Sequence, residues 1–368
     1  MRIDSEKISG RRFLFTAICF TQASSLLTAF LVTVVFQDAW LVVLMGGLAC
    51  LPLMWLYREL MVMFPGKNLL HILDEVYGPV LGKVFGAAYL WFFFTLASLN
   101  ITDLGSLTKT TILEKTPGLV LVLTCVLVAA IAVRGGIGLV TRYSTLFTVT
   151  AFAIIGVSFL LIFNQLDIKN LFPIFDQPPM KYVQGVHIIV TIPFGELVAV
   201  LMLNANLKIT RKETTRYLFL AFLLGALSVF IILVRDVAAL GNTIDMFSSP
   251  SLMVMRLFSL GVTLGRLEVL FAVVLVMLLF FKIMVLYYVA VITAAQLLKV
   301  KEYRHLVLSI GVLMVLYGMT LYPSAIEHTQ SGQRVVPFLW TPFEILLPLL
   351  TLVIAKIQRR RAKAVREA

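Results

Sequence analysis

Runs of apolar residues long enough to cross a bilayer recur along this 368-residue chain, and no other feature restricts its fold so strongly. A hydrocarbon core of ~30 Å takes about 20 helical residues. By apolar length and flanking charge the spans fall at about 12–36, 40–60, 84–108, 118–133, 143–163, 183–204, 217–240, 267–297, 305–322 and 337–357. Backbone groups in lipid must be satisfied internally, which leaves helices or a closed barrel. Alternating polarity is absent, so the expected fold is an all-α integral membrane protein of about ten transmembrane helices. Composition agrees, with 60% hydrophobic and 14% charged residues, against about 25% charged in ordinary soluble domains. The run from Phe13 to Phe36 exceeds a signal-peptide core and no small-residue cleavage site follows it, so it is expected to be a retained first span.

The net charge of +12 would suit nucleic acid, but its placement follows membrane topology. Most Lys and Arg lie at the N-terminus (Arg2, Lys7, Arg11, Arg12), in alternate loops (Lys67, Lys83; Arg134, Arg142; Lys208, Arg211, Lys212, Arg216; Lys299, Lys301, Arg304) and in the basic tail 358–368. These segments share one side of a ten-span chain. The positive-inside rule therefore puts both termini in the cytoplasm, and no nucleic-acid partner is expected. Cys19, Cys50 and Cys125 all sit within apolar runs, as core residues would.

No phosphate-cradling loop, His-Glu-x-x-His or Cys-x-x-Cys pattern occurs, so neither cofactor nor metal is expected, and no catalytic set is visible. Gly82/Gly86 and Gly261/Gly265 are Gly-x-x-x-Gly pairs at span edges. Leu69 to Tyr77 reads as an amphipathic segment at the inner interface. Ser248-Ser249-Pro250-Ser251 reads as the start of a short outer helix over 252–260. Arg58-Glu59 and Arg235-Asp236 are adjacent opposite charges, and neighbours in sequence do not share a helix face. Each is expected to pair with another element or with water.

Polar groups within spans carry the functional information, because a charge at mid-membrane needs a cavity or a partner. In the sixth span, Thr191-Ile192-Pro193-Phe194-Gly195-Glu196 sets a proline that removes a backbone donor, a permissive glycine and an acid side by side. That is the composition of a broken helix lining a polar site, or of a kink whose Glu196 is satisfied by a neighbour. Thr21-Gln22-Ala23-Ser24-Ser25 in the first span is a second polar interruption, or a small-residue packing face. Spans one and six correspond if the chain is two halves of five (about 12–163 and 183–357, one multi-pass domain), and an odd repeat length inverts the second half. Interruptions at corresponding positions point to a midplane binding site. Asn100 and Asp103, late in the third span, and Lys282, central in the eighth, are candidates to join it. Lys282 requires a counter-charge or a route to water, and Glu196 is the natural counter-charge. His187, in the outer third of the sixth span, reads as interfacial. His71, His305 and His328 lie at loops or span edges and are assigned no chemistry.

A 5+5 plan with interrupted first and sixth helices resembles the amino acid–polyamine–organocation transporter superfamily. More narrowly the chain resembles the spore-germination permease-like family, the B subunits of bacterial spore germinant receptors. The resemblance is carried by Gln37-Asp38-Ala39-Trp40, Phe64-Pro65-Gly66-Lys67-Asn68-Leu69, Thr116-Pro117 and the stretch Arg134-Gly135-Gly136-Ile137-Gly138-Leu139-Val140-Thr141-Arg142. Further along come Asp167-Ile168-Lys169-Asn170-Leu171-Phe172-Pro173-Ile174, Phe194-Gly195-Glu196, Gly265-Arg266-Leu267-Glu268 and Tyr287-Tyr288, all in order over most of the chain. It implies a multi-pass subunit of the spore inner membrane or cell membrane that works with A-type and lipoprotein C-type subunits. It also implies a small-molecule germinant, often an amino acid, bound by Thr21, Gln22, Ala23, Ser24, Ser25, Phe194, Gly195 and Glu196, with Asn100, Asp103, Pro193 and Lys282 as coupling or pocket residues. Where the superfamily has Gly-x-Gly at the first break, this chain has Ala23-Ser24-Ser25.

Three readings follow. A germinant-sensing subunit is favoured by the loop motifs. A proton-coupled secondary amino acid transporter is favoured by a Glu196–Lys282 pair. A structural or channel-forming subunit without its own ligand is compatible with the altered first break.

Overall fold

The computed structural model describes residues 6–259 and 267–367. Helices follow the apolar runs and end where glycine, proline or a cap dictates. Gly78, at φ 79°, ψ 174°, breaks the long helix Leu69–Thr111. Its amphipathic start buries Leu69, Leu70, Ile72, Leu73 and Val76, and Asn68 caps it by accepting from the His71 amide at 3.1 Å. Gly136, at φ 91°, turns the chain between Gly118–Gly135 and the short helix Ile137–Val140. Thr210 and Glu213 form a capping box at the start of Arg211–Leu240.

Nine stretches among the described residues are long and apolar enough to cross a membrane. One of them, Ala29–Met63, joins the outer half of the first span to the second span through the turn at Phe36–Asp38. With the interrupted first span counted separately, the crossings number ten, as two inverted halves of five. The first span is Gly10–Gln22, a 3-10 turn Ala23–Leu27 and Thr28–Val35. The sixth is Pro179–Ile189, a π turn Val190–Phe194, a 3-10 turn Gly195–Ala199 and Val200–Leu203. The second is Ala39–Met63, the fifth Ser144–Leu161, the eighth Leu267–Leu297 and the ninth Leu306–Leu321. The short helix in the loop after the seventh span is Pro250–Ser259, as its start signal predicts.

Two expectations are corrected. The tenth span is not one continuous helix over 337–357. It runs Val336–Thr341, a π turn Pro342–Leu346, then Leu347–Glu367 without a break through the basic tail. Pro342 has no amide hydrogen to bond the preceding turn, and the helix shifts register there. Arg58 and Arg235 do pair with the acids beside them. Cβ direction separates neighbours on a helix, but an arginine stem is long enough to curl back. Arg235 Nη2 and Nε lie 2.6 and 2.8 Å from Asp236 Oδ1, and Arg58 Nη1 meets Glu59 Oε1. Both arginines also reach other elements, Ser158 Oγ at 2.6 Å and Thr215 Oγ1 at 2.8 Å. The first break begins at Ala23, within the polar run Thr21–Ser25. Of the glycine pairs, Gly86 lies close against Leu297 of the eighth span, as a helix contact requires, whereas Gly261/Gly265 lie outside the described residues, as do Gly265-Arg266 of the family-like motif.

Both termini lie on one face. The Ile8 amide donates to Asn206 O at 2.9 Å, the Asn204 amide reaches Phe64 O and Lys67 O at 3.0 and 2.9 Å, and Gln358 bonds Val76 O at 2.9 Å. On the opposite face, buried Asp38 accepts from the Tyr182 hydroxyl and from the Asp176 amide at 3.3 Å, which ties the first turn to the loop before the sixth span.

Candidate functional site at the helix breaks

The site is built from breaks in three helices. Proline at 193 removes the amide that would continue the sixth helix, and Ile192 leaves helical geometry at φ −117°, ψ 108°. The backbone then resumes as a tight turn carrying Glu196 inward. In the first span the 3-10 turn from Ala23 presents Ser24. Lys282 approaches from the middle of the eighth span. Its Nζ lies 2.5 Å from Glu196 Oε2 and 2.7 Å from Ser24 Oγ, with the Phe20 ring centroid at 5.2 Å. Lys282 is wholly buried and Glu196 nearly so, so the lysine does not snorkel to water. One ammonium thus bridges both broken helices. Ser24, the middle residue of Ala23-Ser24-Ser25 at the first break, supplies one of its acceptors.

A pocket of about 30 Å³ extends from Glu196 between Asn100, Asp103, Ile192, Trp340 and His328. Three residues singled out from the sequence, Asn100, Asp103 and Glu196, therefore come together. Asp103 Oδ1 lies 3.5 Å from His328 Nδ1. His328 is on the helix Ala325–Arg334, which folds back over the mouth. Its ring stands edge-on to Phe30 and stacks on Tyr322. Gln333 of the same helix bonds Phe30 O at 3.2 Å.

Other expected residues lie at the breaks without meeting this centre. Phe194 packs edge-on against Phe222 of the seventh span. The Thr21 hydroxyl bonds Ala17 O at 3.1 Å, and the Thr21 side chain lies against Gly225. Ala23, Pro193 and Gly195 are buried backbone-shaping positions. Gln22 and Ser25 are buried, and the Gln22 amide and Ser25 hydroxyl meet no hydrogen-bond partner among the described residues. His187 is half-buried and pairs with Thr341 Oγ1 at 2.8 Å.

Sequence reasoning missed two residues. His328 was set aside as a loop residue. Glu344 falls inside the tenth span, 337–357, and is not among the residues singled out from the sequence. It is fully buried at the third break, against Gly195, and the Tyr57 hydroxyl lies 2.8 Å from Glu344 O and 3.0 Å from Gly195 O. A signal was present. Pro193-Phe194-Gly195-Glu196 and Pro342-Phe343-Glu344 share a proline, a phenylalanine and then an acid.

Ten crossings, paired breaks and a buried charged centre between them define a multi-pass membrane protein of transporter fold. Solved structures agree. A nucleobase-cation-symport-1 family transporter, MHP1, superposes with a TM-score of 0.67 at 13% identity, over 93% of this chain and 79% of that one. MhsT, solved in complex with L-phenylalanine, superposes at 0.66 and 13% identity, over 96% and 99%. The model of the family described as spore germination protein matches residues 7–326, and the chain belongs to that family. Among curated relatives, spore germination protein KB of Bacillus subtilis (strain 168) is 26% identical over 364 residues, covering 98% of this chain and 97% of that protein. The family expected from the loop motifs is the one found. The comparisons run to germination proteins and transporters, not to enzymes.

Proposed function

We propose that this chain is the membrane subunit of a spore nutrient-germinant receptor, sensing a small molecule, an amino acid, between the broken first and sixth spans. The carrying observation is the Lys282 ammonium joined to Glu196 and Ser24, within a chain of the spore germination family. In this reading Thr21, Gln22, Ala23, Ser24, Ser25, Phe194, Gly195 and Glu196 form the ligand site. The orphaned Gln22 amide and Ser25 hydroxyl await a polar ligand, and free amides at the breaks suit a carboxylate. Asn100, Asp103, Pro193 and Lys282 couple occupancy to helix movement. The 30 Å³ pocket holds about one water, so this is a closed arrangement that ligand entry must open. Both termini lie in the cytoplasm of the cell or spore inner membrane, where the basic face meets A-type and lipoprotein C-type partners.

A deletion in a nutrient-responsive spore-former tests this. Loss of germination on one nutrient of an amino acid and sugar panel, with normal uptake in growing cells, is the expected result. The second reading, a proton-coupled amino acid transporter, is favoured by the buried Glu196–Lys282 pair. Accumulation of an amino acid in proteoliposomes containing this chain alone would establish it instead.

A further inference from the structure

Glu344 has no role in the constellation above, yet among the described residues it is the one buried carboxylate at the breaks whose two oxygens both lack a hydrogen-bond partner. The groups around it are otherwise engaged. From the eighth span, Lys282 gives its hydrogen bonds to Glu196 and Ser24. From the second, Tyr57 lies on backbone carbonyls and the Cys50 thiol lies 3.8 Å from Val190 O. From the third, the Tyr89 hydroxyl bonds Phe343 O at 2.7 Å. The sixth presents Glu196, already paired, and the bare Cα of Gly195.

That glycine limits what could accompany the carboxyl. A Cβ built on Gly195 would overlap Glu344 Oε2, sit 2.7 Å from Glu344 Cδ and 2.9 Å from Val190 O. On the side that faces Gly195 the carboxyl therefore has no room for a metal ion or a water. An ionised Glu344 would leave Glu196, Glu344 and Lys282 with an uncompensated negative charge among buried side chains, which the low-dielectric interior strongly disfavours. A proton cancels that charge and needs no volume.

We propose that Glu344 is a proton-binding site: with the sixth and tenth spans packed together its carboxyl carries a proton, and parting the two breaks to admit water releases that proton to the water. The packed form then holds one proton more than the parted form. Over the pH range in which the parted form is ionised, each unit of rising pH shifts the balance about tenfold toward parting. This holds whether the central site senses or transports.

Infrared spectroscopy of the full-length protein in lipid nanodiscs at neutral pH tests it. The expected result is a carboxylic-acid carbonyl band that moves on ¹³C-glutamate labelling, persists in E196Q and is missing from E344Q. If E344Q does not accumulate, E344D serves, and the band should then no longer move with the glutamate label. A wild-type spectrum without such a band, or a band unchanged in E344Q or E344D, would overturn the proposal.

Discussion

Lys282 Nζ lies 2.5 Å from Glu196 Oε2, so the charge in the middle of the eighth span is held by the acid at the break of the sixth. Each group makes the other's burial tolerable. Removing one partner of such a pair costs about 3–5 kcal/mol, because the survivor is left charged and dry. Lys282→Met should therefore destabilise strongly. Lys282→Met with Glu196→Gln should recover much of the loss. Thermal unfolding of the single and double variants in nanodiscs gives the coupling directly, and additive effects would mean that the pair does not form.

Gly195→Ala should destabilise by about 1–3 kcal/mol, the usual cost of overpacking, because the new methyl meets the Glu344 carboxyl and Val190 O. Adding Glu344→Ala removes the carboxyl contacts and should relieve part of the loss. Full tolerance of Gly195→Ala alone would show that the sixth and tenth breaks are not packed together.

Arg235 anchors the C-terminal end of the seventh span through Asp236, Ser158 and the Phe271 ring at 5.0 Å. Arg235→Met should cost about 3–5 kcal/mol by leaving buried Asp236 without its counter-charge, with Ser251 its remaining partner. Arg235→Met with Asp236→Leu should be much closer to wild type in the same unfolding assay.

On the face opposite the termini, Tyr182→Phe removes the hydroxyl that donates to Asp38. A hydrogen bond to a charged acceptor is worth about 1.5–3 kcal/mol. Limited proteolysis between 163 and 178 should be faster in this variant, with the helical core intact. Unchanged cleavage would mean that the loop does not depend on this tether.

The spans were legible because lipid demands apolar length, a one-dimensional property. The sixth break was legible because Pro193, Gly195 and Glu196 each act locally and stand within four residues. The tenth break was hidden by its surroundings. Pro342 and Glu344 sit in a run apolar enough to pass as one helix, and what marks them is their likeness to a segment some 150 residues earlier. His328 shows a different limit. Ser324 and Glu327 announce a helix start, and the Glu327 amide does bond Ser324 Oγ at 3.2 Å. Only the folding of that helix back over Asp103 brings the imidazole to the pocket. The Arg-acid neighbours failed for a third reason, since face geometry describes where side chains begin and not how far they reach.

The most direct test is germination of spores carrying Glu196→Gln at the native locus, with protein level matched to wild type. The side chain keeps its size and loses the charge that holds Lys282. Loss of the response to the cognate nutrient, with normal membrane insertion and an unaltered response to other nutrients, is the predicted result. Full nutrient-triggered germination in that strain would contradict the account and leave Glu196 as a core residue only.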